Sequence, residues 1–470
     1  MTATKLDRRT MLMATSAFAA ATMVPRGGAM AQGTAPGTPP ARAEFVIRGA
    51  YVLPMDPSIA DLPVGDVHVR DGTIIAVAPR IEAGSAISID GKGMICMPGL
   101  VETHWHHWTN ILRSFMRAED PQRTYFPITA KYGPHYTPEV SYRSARIGLA
   151  EALSAGITTT QNWNHNTRSY EHAEAEMRAM HDIGIRGRFA YGTPQGHPND
   201  KPMDFAGLER AKRDWSKEDG LLLLAICSRS VDNANAGTRG TISADLAKIE
   251  WSKARELGLP ITMHTSGVGG IKVLDEAGLL GRDVQLVHPL NTTAEERAAM
   301  ARNGASYSIS PVGEARRPAE IQFVEMHEAG VKMSLSVDHI TTYDANLFDS
   351  MRFLGTVVQH KHGNKFKLTS KMLVEMATIG GARDLGFSDK VGSLTPGKRA
   401  DVILLRRTDL NLAFADPYDG LVTLAQPANV DTVIVDGRIL RRRNQFTALD
   451  LGKVMEETAE SVEFLKSKAG

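Results

Sequence analysis

Short apolar runs of strand length alternate with amphipathic segments of helix length over residues 94–338. The runs read, in order, MICMPGLVETH, GITTTQNWNH, IRGRFAYG, LLLLAICS, PITMH, VQLVH, ASYSIS and VKMSLSVD. Helical spacing of apolar residues is clearest at residues 138–155, 170–183 and 293–303. Strands that alternate with helices indicate a parallel sheet, and a series of such units over roughly 250 residues is typical of a (β/α)8 TIM barrel. We therefore predict an α/β protein built around that barrel.

Two β-rich segments of similar style flank the predicted barrel. The first contains EFVIRGAYVL and DVHVRDGTIIAVAP, and the second contains PGKRADVILL and VDTVIVDGRIL. Each carries an Asp-Gly pair between alternating apolar residues, at 71–72 and at 436–437, which is a strong hairpin signal. We predict that both ends of the mature chain join in one small β-sandwich domain, followed by a charged amphipathic helix.

The first residues resemble a targeting segment. Arg8-Arg9 precedes an apolar run at 11–24 that is too short to span a bilayer stably, and a small-x-small sequence follows at 29–31. The paired arginines are similar to a twin-arginine export signal, so we predict cleavage after about Ala31, location in the periplasm and no membrane span in the mature chain. An uncleaved N-terminal anchor is the alternative. The predicted segments are a signal peptide (1–31), a linker (32–43), the N-terminal part of the β-sandwich (44–97), the barrel (98–386), the C-terminal part of the β-sandwich (387–446) and a C-terminal helix (447–470).

Charge and cysteine content exclude several classes of function. The formal net charge is +1 over 470 residues, without a basic block of the kind that binds nucleic acid. The two cysteines, Cys96 and Cys227, cannot form a disulfide framework. The expected partner is a small-molecule substrate, and assembly into a homo-oligomer is left open.

Histidine and aspartate residues stand at the C-terminal ends of predicted strands, where the active sites of TIM barrels lie. The first strand ends at His104-Trp105-His106, the fifth at His264 and the eighth at Asp338. Because alternate residues of a strand point to the same face, His104 and His106 can aim both imidazoles into one cavity. With His264 and Asp338 they offer three nitrogens and one carboxylate oxygen. This donor set suits a divalent metal, Zn²⁺ in the first place and Fe²⁺ as the alternative, and leaves a position for water.

These motifs resemble those of the amidohydrolase superfamily, in particular its cytosine deaminase and chlorohydrolase-like branch. The similarity rests on PGLVETHWH, the His of PITMH, the His of VQLVH, the Asp of SLSVD and the segment GSLTPGKRADVILL, and it runs over about residues 44–443. The resemblance implies a metal-dependent hydrolase that breaks a C–N bond, usually in a cyclic or heteroaromatic compound. It also implies that His104, His106, His264 and Asp338 hold the metal.

The resemblance further implies catalytic roles for His288 and Asp338. His288, the His of VQLVH, would stand beside the attacking water or polarise the substrate, and it can stabilise the developing oxyanion. Asp338 can take a proton from the attacking water and return it to the leaving nitrogen.

The fourth strand departs from the pattern of binuclear relatives. Those relatives carry a bridging carboxylated lysine at this position, whereas LLLLAICSRS offers Cys227, Ser228 and Arg229. A single metal is therefore favoured, and Cys227 is expected to be a small buried thiol.

The fifth strand also departs from the branch. Deaminases of the branch carry H-x-x-E there, with a glutamate that protonates a ring nitrogen, whereas residues 264–267 read HTSG. The missing acid shifts the prediction toward hydrolysis of an amide, imide or lactam, whose carbonyl needs no ring protonation. Residues near strand ends that could replace the acid are His107, His165, Glu314 and His339.

Aromatic residues near the first two strands are candidates for the substrate wall. Trp105 and Trp108 follow the first strand, and His165 ends the second. We predict that all three contact substrate, with packing at the barrel mouth as the alternative for the tryptophans.

We therefore predict an exported mononuclear metal-dependent amidohydrolase of the EC 3.5 type, acting on an amide, imide or lactam C–N bond of a small cyclic substrate. One alternative is a hydrolytic deaminase of an aminated heterocycle. The other is a periplasmic metal- or ligand-binding protein without turnover, although a bare metal carrier has no use for His288.

Overall fold

The structure, a computed structural model, describes residues 39–117, 119–217, 220–232, 241–266 and 268–468. The predicted signal peptide and most of the predicted linker lie outside these residues, so export stays a prediction. In chain order the strands are β1 (Phe45–Val52), β2 (Leu62–Arg70), β3 (Thr73–Ala78), β4 (Ile87–Asp90), β5 (Met94–Pro98), β6 (Leu100–Trp105), β7 (Ile157–Asn164), β8 (Arg186–Tyr191), β9 (Leu222–Ser228), β10 (Ser230–Val231), β11 (Thr241–Ile242), β12 (Ile261–Ser266), β13 (Val284–Leu290), β14 (Ser306–Ile309), β15 (Lys332–Leu335), β16 (Val402–Arg406), β17 (Val430–Val435), β18 (Arg438–Arg442) and β19 (Gln445–Phe446). The α-helices are α1 (Tyr125–Tyr132), α2 (Pro138–Ser154), α3 (Tyr170–Ile183), α4 (Phe205–Trp215), α5 (Ala244–Glu256), α6 (Gly270–Glu276), α7 (Ala294–Asn303), α8 (Pro311–Glu314), α9 (Phe323–Glu328), α10 (Leu347–His362), α11 (Ser370–Glu375), α12 (Gly381–Asp384), α13 (Pro417–Thr423) and α14 (Leu451–Lys468).

An eight-stranded parallel sheet forms the predicted barrel. Its strand order is β6-β7-β8-β9-β12-β13-β14-β15. The backbone joins the first strand to the segment that follows the last one, because Asp338 N donates to His104 O and His106 N donates to Asp338 O, each over 2.9 Å. The prediction of a TIM barrel is therefore confirmed, and this seam places Asp338 directly beside the end of β6.

The first apolar run forms two strands instead of one. In MICMPGLVETH, β5 belongs to the sheet built from the chain ends and β6 to the barrel. Gly99 separates them, and a Cβ there would lie 2.0 Å from the Thr158 hydroxyl oxygen. Only glycine permits so close an approach, which allows the chain to pass from one sheet to the other at this point.

The second sheet combines both ends of the described chain. Its path runs β19-β18-β17-β16-β5-β1-β2-β3, with β4 paired to β1, and the antiparallel pair β16–β5 joins the two halves. The predicted Asp-Gly hairpins connect β2 to β3 and β17 to β18, and both residues of each turn have positive φ, including Asp71 at 50° and Gly72 at 77°. This is the backbone of a type I′ turn. A separate apolar core that includes Phe45, Val402 and Ile434 lies within this sheet.

The C-terminal helix α14 packs beside α2. Arg146 of α2 bonds Glu457 over 2.9 Å, and Arg143 bonds Glu460 over the same distance. Leu465 is fully buried in an apolar cluster that also contains Trp108. Burial of a leucine side chain stabilises a fold by about 1.5–3 kcal/mol, so α14 stabilises the segment that follows β6.

Among the helices that the structure describes, none combines the length and apolarity needed to cross a bilayer. The predicted domain limits at residues 98, 387 and 447 stay predictions. Residue 98 is the last residue of β5, and 387 follows α12 by three residues.

Candidate metal centre

Strand β6 brings two imidazoles to one side of the sheet. The rings of His104 and His106 meet edge to face, with centroids 4.7 Å apart, and both side chains are buried. Nδ1 of His106 lies 2.9 Å from the carbonyl oxygen of Trp163. Because a carbonyl only accepts, Nδ1 carries the proton and Nε2 presents its lone pair to the cavity.

His264 reaches the same point from β12, on the other side of the barrel. Its Nε2 lies 3.1 Å from Nε2 of His104, and the Trp163 ring packs against it at a centroid distance of 4.0 Å. Burial and the neighbouring histidines hold the pKa of His264 well below its usual range, and burial does the same for His104. Both rings are therefore neutral at pH 7, which is the form that binds a metal.

Asp338 completes the group from the barrel seam. Its Oδ1 lies 3.4 Å from His104 Nε2 and 3.3 Å from His106 Nε2. Burial alone would raise the pKa of this carboxyl, but the neighbouring histidines, His288 first and then His104 and His106, lower it well below its usual range. Asp338 is therefore an ionised carboxylate, held by a backbone with a φ of 69° that is rare outside glycine.

The four side chains fit a metal ion. One ligand atom from each of His104, His106, His264 and Asp338 lies within 4.8 Å of every other. Neutral imidazole nitrogens 3.1 Å apart, such as those of His104 and His264, either share a proton or face a common cation. Three nitrogens and one carboxylate oxygen match the donors that zinc and iron take in proteins.

His288 stands beside the group without belonging to it. Its Nδ1 bonds the Glu314 carboxylate over 2.9 Å. Its Nε2 faces Asp338 Oδ2 at 3.4 Å without the geometry of a hydrogen bond and has no hydrogen-bond partner among the described residues. Burial and Arg317 would lower the pKa of His288, but Asp338 and Glu314 outweigh them and raise it. The free Nε2 is thus a donor aimed at the space beside Asp338.

Glu314 holds His288 from behind. This fully buried carboxylate also accepts hydrogen bonds from the Tyr307 hydroxyl over 2.6 Å and from the Ser310 backbone over 3.0 Å. Both of its oxygens are thus engaged by neighbouring donors. Glu314, one of the predicted substitutes for the missing acid, therefore orients His288 and does not face the cavity.

His165 lies against the metal group. Its ring centroid is 4.4 Å from that of His106. Trp108 donates from Nε1 to His165 Nδ1 over 3.3 Å, and the Tyr125 hydroxyl lies 3.4 Å from His165 Nε2. His165 therefore lies beside the metal group, and Trp108 contacts His165; the predicted substrate contacts of both residues stay predictions.

The structure corrects the predicted contact of Trp105 with substrate. Its side chain has 0% exposure and lies in the main core, where Nε1 donates to Asn110 Oδ1 over 3.0 Å. Trp105 occupies the position between His104 and His106, so the alternation of the strand turns it to the opposite face. The sequence already contained this constraint.

The remaining predicted substitutes for the acid lie in different places. His107 packs on Trp105 and bonds Thr160 over 3.2 Å inside the core, away from the cavity. His339 lies between Tyr125 and Tyr343, with ring centroids 5.0 and 4.8 Å away. Burial lowers the pKa of His339 to about 4, so it is a neutral ring at pH 7. Gly267, which takes the position of the family's glutamate, lies outside the described residues.

Two further residues belong to this site, and neither was among the predicted site residues. Tyr125 belongs to α1, and Arg317 lies after α8 with its Nη2 3.7 Å from Asp338 Oδ2 and its side chain 39% exposed. Burial and the Asp338 charge raise the pKa of Tyr125 well above its usual range, so its hydroxyl stays protonated. Neither residue lies at the end of a predicted strand, and no motif marks them.

The fourth barrel strand contributes no ligand to the group described above. The Cys227 thiol donates to the carbonyl oxygens of Asn164 and Ala190 over 3.2 and 3.3 Å. Burial raises its pKa well above the usual range, so the sulfur stays a neutral thiol. Cys227 is therefore the small buried residue that the sequence predicted.

Comparison with known proteins gives a match to the family model of the amidohydrolase family over residues 95–440. A 5'-deoxyadenosine deaminase of Methanosarcina mazei is 26% identical over 449 residues, which cover 91% of this chain and 99% of the relative. A 5-methylthioadenosine/S-adenosylhomocysteine deaminase of Desulforudis audaxviator is 28% identical over 440 residues, which cover 88% and 97%.

Solved structures share the fold over nearly the whole described chain. An adenosine deaminase from Xanthomonas campestris with bound zinc has a TM-score of 0.79 at 21% identity, covering 91% of this chain and 100% of its own. The atrazine chlorohydrolase TrzN from Arthrobacter aurescens TC1, complexed with zinc, has a TM-score of 0.78 at 21% identity, covering 89% and 100%.

Proposed function

This chain belongs to the amidohydrolase family, and we propose that it is a metal-dependent hydrolase that removes an amino group from a small aminated heterocycle. One observation carries the proposal: the four-residue metal group, which includes an ionised Asp338, stands beside a His288 whose Nε2 has no hydrogen-bond partner among the described residues. The deaminase relatives, aligned over about nine-tenths of the chain, support a leaving amine.

We propose that His104, His106, His264 and Asp338 hold one divalent metal. When bound, zinc or iron supplies a water activated for attack at neutral pH. The protein holds the His106 ring in a fixed orientation, since its Nδ1 proton is bonded to the Trp163 carbonyl. The neutral state of His104 and His264 keeps their lone pairs available without a cost in proton release.

Asp338 and His288 handle the proton and the developing charge. Asp338 Oδ1 faces His104 and His106, whereas Oδ2 faces His288 and Arg317, and we assign to Oδ2 the proton of the attacking water. The same oxygen returns that proton to the leaving nitrogen. His288 Nε2 donates a hydrogen bond to the oxygen of the attacking water and so orients it, and Glu314 fixes the ring in that position.

The walls of the cavity suit a flat ring. Trp163, His165 and Tyr125 present aromatic faces and edges around the metal group. In place of the absent glutamate, the protonated Tyr125 hydroxyl and the Arg317 guanidinium are donors that can bond a ring nitrogen. A donor of this kind stabilises charge on the ring nitrogen without transferring a proton.

A second candidate is hydrolysis of a ring amide, imide or lactam. Gly267 stands where the deaminases carry a glutamate, and this favours the second candidate, because a carbonyl substrate needs no protonated ring nitrogen before attack. The same metal group, Asp338 and His288 would serve this reaction. The two candidates differ in the fate of the nitrogen, which leaves as ammonia in deamination and stays in the product after ring opening.

Ammonia release tests the choice between the candidates. We expect the zinc-loaded protein to release ammonia from at least one member of a panel of aminopurines, aminopyrimidines and aminotriazines. A parallel panel of cyclic imides and lactams is followed by the loss of ring absorbance. Ring opening without ammonia would replace the first candidate by the second, and inactivity on both panels in zinc-loaded protein would contradict the proposal.

Replacement of Glu314 by glutamine tests the support of His288. The amide keeps the size of the side chain but removes the charge that Nδ1 of His288 bonds. Loss of such a supporting carboxylate costs about 10–100-fold in activity, and we expect this loss in kcat with little change in KM. The matched control is Glu320→Gln, an exposed glutamate paired with Lys361. Wild-type kcat in Glu314→Gln would show that His288 needs no such support.

A further inference from the structure

A second cavity lies at the end of the barrel opposite the metal group. It encloses about 350 Å³, and its wall includes Pro260, Val284 and Ser306, at or just before the first residues of β12, β13 and β14. His264 and His288 lie farther along β12 and β13. Along β13, His288 lies three positions after Gln285 of this cavity, a distance of about 10 Å at the rise of a strand.

The charged residues around this cavity leave an excess of positive charge. Four arginines and two aspartates line it, namely Arg188, Arg255, Arg282, Arg383, Asp283 and Asp384. The formal balance is four positive and two negative charges. The cavity therefore attracts anions.

The two aspartates are already satisfied by other groups. Asp283 pairs with Arg255, whose Nε lies 2.8 Å from its Oδ2. Asp384 accepts hydrogen bonds from the hydroxyls of Ser306 and Ser334 and from the amide of Gln285.

Three of the four arginines of the cavity are not paired with a carboxylate of the described residues. Within the described part of the chain, no carboxylate lies within 4.0 Å of Arg188, Arg282 or Arg383, and the latter two are exposed at the mouth of the cavity.

Arg188 lies at the buried end of the cavity with part of its guanidinium unbonded. The residue is 2% exposed. Its Nε donates to the side-chain oxygen of Gln161, and Nη1 reaches the Asp384 carbonyl over 3.5 Å, but Nη2 has no hydrogen-bond partner among the described residues. Burial lowers the pKa of Arg188 to about 10. A buried charge is costly, and an anion in the cavity would add a counter-charge to that of Asp384.

We propose that this cavity binds a small organic anion through its phosphate or carboxylate groups. Guanidinium groups form paired hydrogen bonds with both kinds of oxyanion, and Arg188 offers the buried one while Arg282 and Arg383 offer two more at the mouth. The volume is that of a site for a small molecule. The site is separate from the metal group and does not depend on the proposed reaction.

Calorimetric titration tests the proposal with two probes that chelate metals weakly, glycerol 3-phosphate and glutarate. We expect at least one of them to bind the zinc-loaded protein with a 1:1 stoichiometry. The double variant Arg282→Gln/Arg383→Gln, whose side chains are exposed, is expected to weaken binding by about 10-fold or more, since each loses a charge-assisted hydrogen bond. Arg80→Gln, which changes an 84%-exposed arginine just after β3, is the control and should bind as the wild type does.

Arg188 itself is tested by Arg188→Met, which should abolish binding, but this variant also loses the bond to Gln161 in the barrel core. The surface pair Arg282 and Arg383 therefore decides the outcome.

Binding that persists in the metal-free variant His264→Ala places the probe outside the metal group. Binding by only one probe identifies the oxyanion as phosphate or carboxylate. Absence of binding by both probes, or full binding by the double variant, would overturn the proposal.

Discussion

Replacement of Asp338 by asparagine is expected to lower kcat/KM by about 10³-fold. The amide cannot accept the proton that we place on Oδ2. It also removes the negative charge that faces His288. The change adds no volume, so the seam between β6 and Asp338, which uses backbone atoms, should survive. The measurement is the rate of product formation on the best substrate of the panel, made at saturating zinc.

Two measurements separate this loss from damage to the fold. Asp344→Asn alters an exposed carboxylate in the same loop and is expected to keep the wild-type rate. Metal content of Asp338→Asn shows how much of the loss comes from a weaker site. If Asp338→Asn retained both its metal and wild-type turnover, the role of Asp338 in proton transfer would be wrong.

Replacement of His264 by alanine is expected to remove the metal and nearly all activity. His264 supplies the nitrogen that approaches His104 from across the barrel, and without it the remaining donors come from β6 and the seam alone. Loss of a supporting group near a metal already costs about 10–100-fold in affinity, so loss of a ligand should cost at least about 10²-fold. The expected result is a large fall in zinc per chain after dialysis, measured by mass spectrometry of the metal.

His360→Ala is the matched control, because His360 is exposed on α10. It should keep the wild-type metal content and rate. Thermal unfolding of both variants shows whether the barrel is intact. Zinc bound as tightly by folded His264→Ala as by the wild type would remove His264 from the ligand set.

The barrel and the residues of the metal group could be predicted because both follow from strand geometry. Alternation turns His104 and His106 to one side, and the C-terminal ends of parallel strands meet at one edge of a barrel, which brings in His264 and Asp338. The same alternation places Trp105 in the core, a consequence that the sequence prediction overlooked.

The support of the site could not be predicted from strand ends. Glu314 reaches His288 from a short helix, and Tyr125 reaches His165 from α1, so both contacts depend on how loops fold over the barrel. Strands and helices are marked in a sequence by a regular spacing of apolar residues, whereas the conformation of a loop leaves no such pattern. The cavity around Arg188 was missed for a related reason: its arginines come from separate barrel segments, and the unbonded nitrogen of Arg188 is visible only once its neighbours are in place.

Titration of metal-free protein with zinc, followed by hydrolytic rate, tests the central claim most directly. If one metal held by His104, His106, His264 and Asp338 drives hydrolysis, activity rises linearly and reaches its plateau at one zinc per chain. A plateau at two zinc ions would contradict the single-metal site. Folded protein that is fully active without metal, or that binds zinc and hydrolyses no C–N bond, would contradict the account as a whole.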